Sequence, residues 1–218
     1  MKIKGFKSRG IFLDLDGTIV DSTEAYLEAA RVSFRAVGLA PPANETALEI
    51  PRRLEQAFSI SDITNGESKK FLSVYLKTYY SITPEKTKLI PNVPAALEAL
   101  SEKNKLALIT MRHVPKKSII KELEFFGISK YFTCVVTAHG RFKPKPSPEA
   151  LLSCVKDLGI GVSNCVIVGD SVNDVRAGKA AGAKTVAVLS GLFQSIELAK
   201  EKPDLILDDV TALPNFIN

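Results

Sequence analysis

Cysteine and histidine are scarce in this chain: its 218 residues hold three cysteines and two histidines. Cys134, Cys154 and Cys165 stand at no metal-ligand spacing and sit among apolar neighbours, so they are expected to be buried structural thiols. His113 and His139 have no evident partner, which argues against a zinc site and leaves both as structural or exposed residues. No stretch is both long and apolar enough to span a bilayer. The basic first ten residues lack the apolar run and cleavage site of a secretory leader, so the expected location is cytoplasmic. The net charge is +5, but the lysines and arginines are scattered without an aromatic-interleaved stripe. Attraction for anionic metabolites therefore fits better than nucleic-acid binding.

Apolar runs of strand length punctuate the chain at residues 11–13, 106–109, 132–136, 165–168 and 185–188, with a sixth candidate at 205–207. They are apolar throughout rather than alternating, which suits a parallel sheet covered on both faces. Amphipathic helices lie between them: Ile119, Ile120, Leu123 and Phe126 form one face, and Leu151, Val155 and Leu158 another. Such alternation predicts a doubly wound, Rossmann-like α/β fold. Between Asp21 and Lys88 the pattern is helical only, starting at a capping-box-like Asp21, Ser22, Thr23, Glu24. Helices are expected there over 48–58 and 69–80, with Pro84, Pro91 and Pro94 marking the return to the sheet. The expected organisation is an α/β core of residues 1–20 and 89–218 carrying a helical cap domain of residues 21–88.

Ligands of open α/β sheets bind beyond the carboxyl ends of the strands, and those ends carry polar groups here. The first strand leads into Asp14, Leu15, Asp16, Gly17 and Thr18, the second ends at Thr110, and the fourth leads to Asp170 and Asp174. Lys143 and Pro144 follow the third. A carboxylate that attacks a phosphate dianion must overcome charge repulsion, and magnesium with oxygen ligands can neutralise it. Asp14 is the candidate nucleophile, and with Asp170 and a backbone carbonyl it could hold the metal. Asp16 is placed to protonate the leaving oxygen and then activate water. Lys143 adds positive charge and Thr110 a hydroxyl toward the phosphoryl oxygens. Gly17 permits a sharp turn that brings backbone N–H groups near phosphate. Lys145 competes with Lys143; the Lys-Pro-x-Pro pattern selects Lys143 and leaves Lys145 solvated.

These residues resemble the four ordered motifs of the haloacid dehalogenase superfamily: Phe12 to Asp21, Thr110, Lys143 to Pro148, and Gly169 to Asp174. The resemblance implies a Rossmann-like core and magnesium held by Asp14, the Asp16 carbonyl and Asp170, with Asp174 a further acidic member. The helical insert resembles the cap of the phosphoglycolate phosphatase-like subgroup. Dehalogenases of the superfamily lack the second aspartate, so Asp16 favours phosphoryl transfer. The expected protein is a magnesium-dependent phosphatase of a small phosphorylated metabolite, monomeric or homodimeric. Arg52 and Arg53 in the cap, and Arg112, are candidate substrate-binding residues. Three rivals stand: a phosphomutase of the β-phosphoglucomutase type, a non-catalytic regulatory or binding protein, and a nucleic-acid-associated phosphatase.

Overall fold

The computed structural model describes residues 5–140 and 142–218. In chain order its elements begin with β1 (Gly10–Leu13), β2 (Val20–Asp21), α1 (Thr23–Ala36), α2 (Asn44–Glu55), α3 (Ser68–Lys86), β3 (Lys88–Leu89) and α4 (Val93–Ser101). They continue with β4 (Lys105–Thr110), α5 (Lys116–Phe125), β5 (Phe132–Thr137), α6 (Glu149–Leu158), β6 (Cys165–Gly169) and α7 (Val172–Ala181). Last come β7 (Lys184–Val188), α8 (Ser195–Lys200) and β8 (Leu205–Leu207). The chain divides into two compact units, one of residues up to Val20 with Leu89–Asn218, the other of Asp21–Lys88.

In the first unit six strands pair in the order β5-β4-β1-β6-β7-β8. Every pairing in it is parallel. Both faces are covered, as the unbroken apolar runs require. Ile11 and Leu13 of β1 join Leu106, Leu108, Val166 and Val168 in one core cluster, with Leu97 of α4 and Leu123 of α5. Phe12 joins Ala107, Ile109 and Ile167 on the other face, against Leu151 and Val155 of α6. Alternate side chains of one strand thus serve two cores, so polar substitution anywhere in β1 would bury an unpaired group.

The strand order has a functional consequence. The chain builds outward from β1 through β4 to β5, then crosses to β6 on the other side of β1. That reversal opens a crevice at the carboxyl end of β1.

The second unit packs α1, α2 and α3 around Leu27, Ala30, Phe34, Ile50, Phe71, Tyr75 and Tyr79. Its rings stack: Tyr26 lies 4.9 Å from Tyr79, and Phe34 meets Phe71 edge-on at 4.8 Å. Each buried aromatic contributes roughly 1.5–3 kcal/mol by area. Among the described residues no helix is long and apolar enough to cross a membrane.

The six strands of the parallel sheet, including the one at 205–207, fall where the apolar runs lie, whereas the short β2 and β3 do not. Helix ends differ more. Ser22 is the N-cap residue of α1 but makes no side-chain cap, while Asp21 accepts from the Thr23 N–H at 2.9 Å. α3 runs to Lys86 with Pro84 inside it rather than after it.

Candidate active site

β1 positions the first acidic group. Beyond its last residue the Asp14 N–H still donates to the Val168 carbonyl at 3.0 Å, so Asp14 leaves the sheet beside β6. At the end of β6 the chain delivers Asp170, and one turn later Asp174. Asp174 is buried at the start of α7, where Ser171 and Asp174 form a reciprocal capping box. One Asp174 oxygen also accepts from the Ser171 hydroxyl at 2.7 Å. Its cap duty and its site position coexist because the two oxygens face different partners: Oδ2 caps, and Oδ1 accepts from Lys145. One oxygen each of Asp14, Asp170 and Asp174 lies within 4.8 Å of the others.

Glycines give this cluster its room. Gly17 adopts φ +75, and a Cβ there would stand 2.6 Å from the Asp170 carboxylate. A Cβ on Gly169 would come within 2.0 Å of Asp174, so neither aspartate could keep its place beside a larger residue. Gly17 was expected to help cradle phosphate. Instead its N–H donates to the Val20 carbonyl at 2.7 Å, and its own carbonyl accepts from Ser190 at 2.7 Å. Its own amide is thus committed to the turn, and its missing Cβ lets the Asp170 carboxylate approach closely.

The cation at the cluster is Lys145. Its side chain is 3% exposed, and its ammonium donates to Asp14 at 2.8 Å and to Asp174 at 2.6 Å. Lys143, the residue the motif pattern selected, points outward with its side chain 81% exposed, 3.9 Å from Glu149. The choice of Lys143 is therefore corrected to Lys145. The Lys-Pro-x-Pro pattern occurs twice in overlap, at 143–146 and at 145–148. Only the second copy runs into Glu149, the first residue of α6.

Burial in this crowd of carboxylates shifts Asp14. Desolvation pushes its carboxyl up, Lys145 pulls it down, and the charges of Asp174 and Asp16 raise it again, leaving it at about 7. An acid so disfavoured as an anion calls for a further positive charge.

A second buried cation follows the end of β4. Arg112 was a candidate substrate-binding residue, yet its guanidinium is about 3% exposed and occupied by protein carboxylates. Its Nε donates to one Asp16 oxygen at 2.8 Å and its Nη2 to the other at 2.6 Å, a two-toothed grip. Its Nη1 donates to Glu122 of α5 at 2.5 Å. Thr110, buried at the end of β4, accepts from the Arg112 N–H at 3.2 Å, which leaves its hydroxyl hydrogen available to another partner. Glu122 escaped the sequence reading because one glutamate in an amphipathic helix carries no signal; its burial is the tell.

Arg52 and Arg53 lie on α2, in the other unit. Arg52 pairs with Glu49, and Arg53 pairs with Asp62 at 2.6 Å. His113 and His139 do have a neighbour, each other, with ring centroids 5.0 Å apart.

Known proteins match this arrangement along nearly the whole chain. A phosphoglycolate phosphatase of Pseudomonas fluorescens is 29% identical over 214 residues, covering 94% of this chain and 78% of that one. Phosphoglycolate phosphatase 1 of Pseudomonas aeruginosa is 31% identical over 216 residues, with the same coverage of 94% and 78%. Among solved structures, a haloacid dehalogenase-like hydrolase of Streptococcus pneumoniae superposes with a TM-score of 0.82 at 19% identity, covering 96% of this chain and 98% of that one. Residues 11–188 match the family described as haloacid dehalogenase-like hydrolase, and with its acidic cluster at the switch point of a parallel sheet the chain belongs to that family.

Proposed function

We propose that this hydrolase is a magnesium-dependent phosphatase that transfers the phosphoryl group of a small metabolite to Asp14 and then to water. The observation that carries the reading is the convergence of Asp14, Asp170 and Asp174 on one point, with Lys145 alongside. Lys145 bridges only two of these three carboxylates, whose oxygens lie within 4.8 Å of one another, and all are hard donors of the kind magnesium prefers. Asp14, Asp170 and Asp174 would hold the ion. Bound there, magnesium supplies the positive charge that offsets the phosphate dianion.

The chain's own groups divide the remaining work. Asp14 attacks phosphorus, and the bond to the leaving oxygen breaks as the acyl phosphate forms. Lys145 holds Asp14 in line through its 2.8 Å hydrogen bond and faces the charge that develops on the phosphoryl oxygens. Thr110 offers its hydroxyl hydrogen to the same oxygens. Asp16 delivers a proton to the leaving oxygen and later takes one from the attacking water. Both its oxygens are gripped by Arg112, so that duty requires Asp16 to turn away as substrate enters. Arg112 is a positioning residue in this scheme. In the same reading the helical unit selects the substrate, and Arg52 and Arg53 are the residues to test there.

Relatives that share the fold and are named phosphoglycolate phosphatase support a small phosphorylated acid as substrate. The test is phosphate release with magnesium over a panel of phosphoglycolate, sugar phosphates, nucleotides and pyrophosphate. Release that stops on chelation and returns with magnesium is the expected result. Silence from folded, magnesium-binding protein over the whole panel would overturn the proposal.

A further inference from the structure

Two of the three cysteines meet in the fold. Cys134 lies on β5, the edge strand of the sheet, and Cys154 on α6, which packs across that face. Their Sγ atoms are 3.0 Å apart, about 1 Å longer than a disulfide bond. They are not equivalent. Cys154 is buried, whereas Cys134 is half-buried at an open strand edge, next to the point where the β4–β5 register shifts. Two thiols in sulfur contact, one of them reachable from solvent, are the elements of a dithiol couple.

We propose that Cys134 and Cys154 are a reversible oxidation site that closes to an intramolecular disulfide with a small-molecule disulfide as oxidant. The Cys134 thiolate attacks one sulfur of the reagent, forming a mixed disulfide and releasing the first thiolate. The Cys154 thiol then gives up its proton, and its sulfur attacks the Cys134 sulfur and releases the second. The protein loses two protons and two electrons, and one reagent disulfide becomes two thiols. Cys134 is the attacking sulfur on chemical grounds as well as by access. The hydrogen bond from Cys154 pulls its thiol down to about 7, against burial, with Lys116 helping and Asp157 opposing. The same contact, added to burial, raises Cys154. Cys165 serves as an internal control: it is buried on β6 and burial pushes its thiol up to about 11.

The position of the couple gives it a reach beyond itself. Cys134 and Cys154 lie within β5 and α6, the two elements joined by the segment that carries Lys145 to Asp14 and Asp174. A bond between them would staple the edge strand to the helix beneath the lysine. The oxidised protein should therefore melt at a higher temperature than the reduced one.

The experiment treats the full, folded chain with oxidised glutathione, quenches with acid, and alkylates after denaturation. The expected product has lost the mass of two hydrogens, retains one alkylatable cysteine of the three, and yields a linked Cys134–Cys154 peptide that dithiothreitol separates. Cys154→Ser should stop at a glutathione adduct on Cys134. Three free thiols after treatment, a stable adduct on the wild-type chain, reaction at Cys165, or an intermolecular dimer would each overturn the proposal. None of these readouts needs turnover, so failure here is separate from failure of the phosphatase reading.

Discussion

Lys145 and Arg112 are two buried cations, each tying a carboxylate of the β1 loop to a carboxylate on a helix. Lys145 joins Asp14 to Asp174 of α7; Arg112 joins Asp16 to Glu122 of α5. The chemistry of the two cations differs, and so does what they can do. A lysine is a compact point charge that meets each oxygen once. Its carboxylates belong to the trio that converges, so its charge can be shared with whatever enters there. An arginine is a rigid fork, and both teeth facing Asp16 are engaged. The first hub sets the charge around Asp14; the second sets the orientation of Asp16.

Substitutions at four positions test that division. Asp14→Asn removes the proposed nucleophile and should lower phosphate release by roughly 10⁴-fold or more while leaving the fold intact. Substantial turnover in that variant would sink the mechanism. Lys145→Ala should cost about 10²–10³-fold in kcat, whereas Lys143→Ala, two residues away and exposed, should leave kcat unchanged. Equal losses in both would erase the distinction drawn between the lysines.

Arg112→Lys keeps the charge but loses the fork. Its expected signature is a drop of roughly tenfold in kcat with KM held. Arg112→Ala would also strand two carboxylates and destabilise the chain by about 3–5 kcal/mol, read as a lower urea midpoint. A change confined to KM would mean that Arg112 contacts substrate after all.

The smallest effect concerns pH. Folding raises the Asp14 carboxyl from 3.8 to about 7 in the metal-free protein. Between those values the folded state binds the proton more tightly, so this group's stabilisation is complete below about pH 4 and is lost as pH rises toward about 7, a matter of a few kcal/mol. In chelator, wild type should therefore lose thermal stability over that window faster than Asp14→Asn does. Parallel melting curves for the two would remove Asp14 as the cause.

The sheet was legible because its strands are buried on both faces and their apolar runs do not alternate. Asp14, Asp170 and Thr110 were legible for a related reason: a polar group directly after such a run has one place to be, the rim. Asp174 could be read either as a cap or as a site member, and it is both by geometry. The lysine was misread because Lys-Pro-x-Pro overlaps itself, and a local pattern holds no information on which copy faces inward. Arg112 looked like an arginine free to meet a substrate, since its partners Asp16 and Glu122 are 96 and 10 positions away. The sequence shows the cysteines only as thiols among apolar neighbours, because the two that touch stand 20 positions apart.

The sequence by itself determined the layer architecture, the rim on which chemistry gathers and the carboxylates that compose it, because periodicity and strand-end position are local properties of the chain. Only the tertiary structure decided which lysine faces Asp14, which residue grips Asp16 and which thiols meet. Those pairings are made by helices folding back across the sheet, and the contacts are set by the packing distance between elements rather than by spacing along the chain.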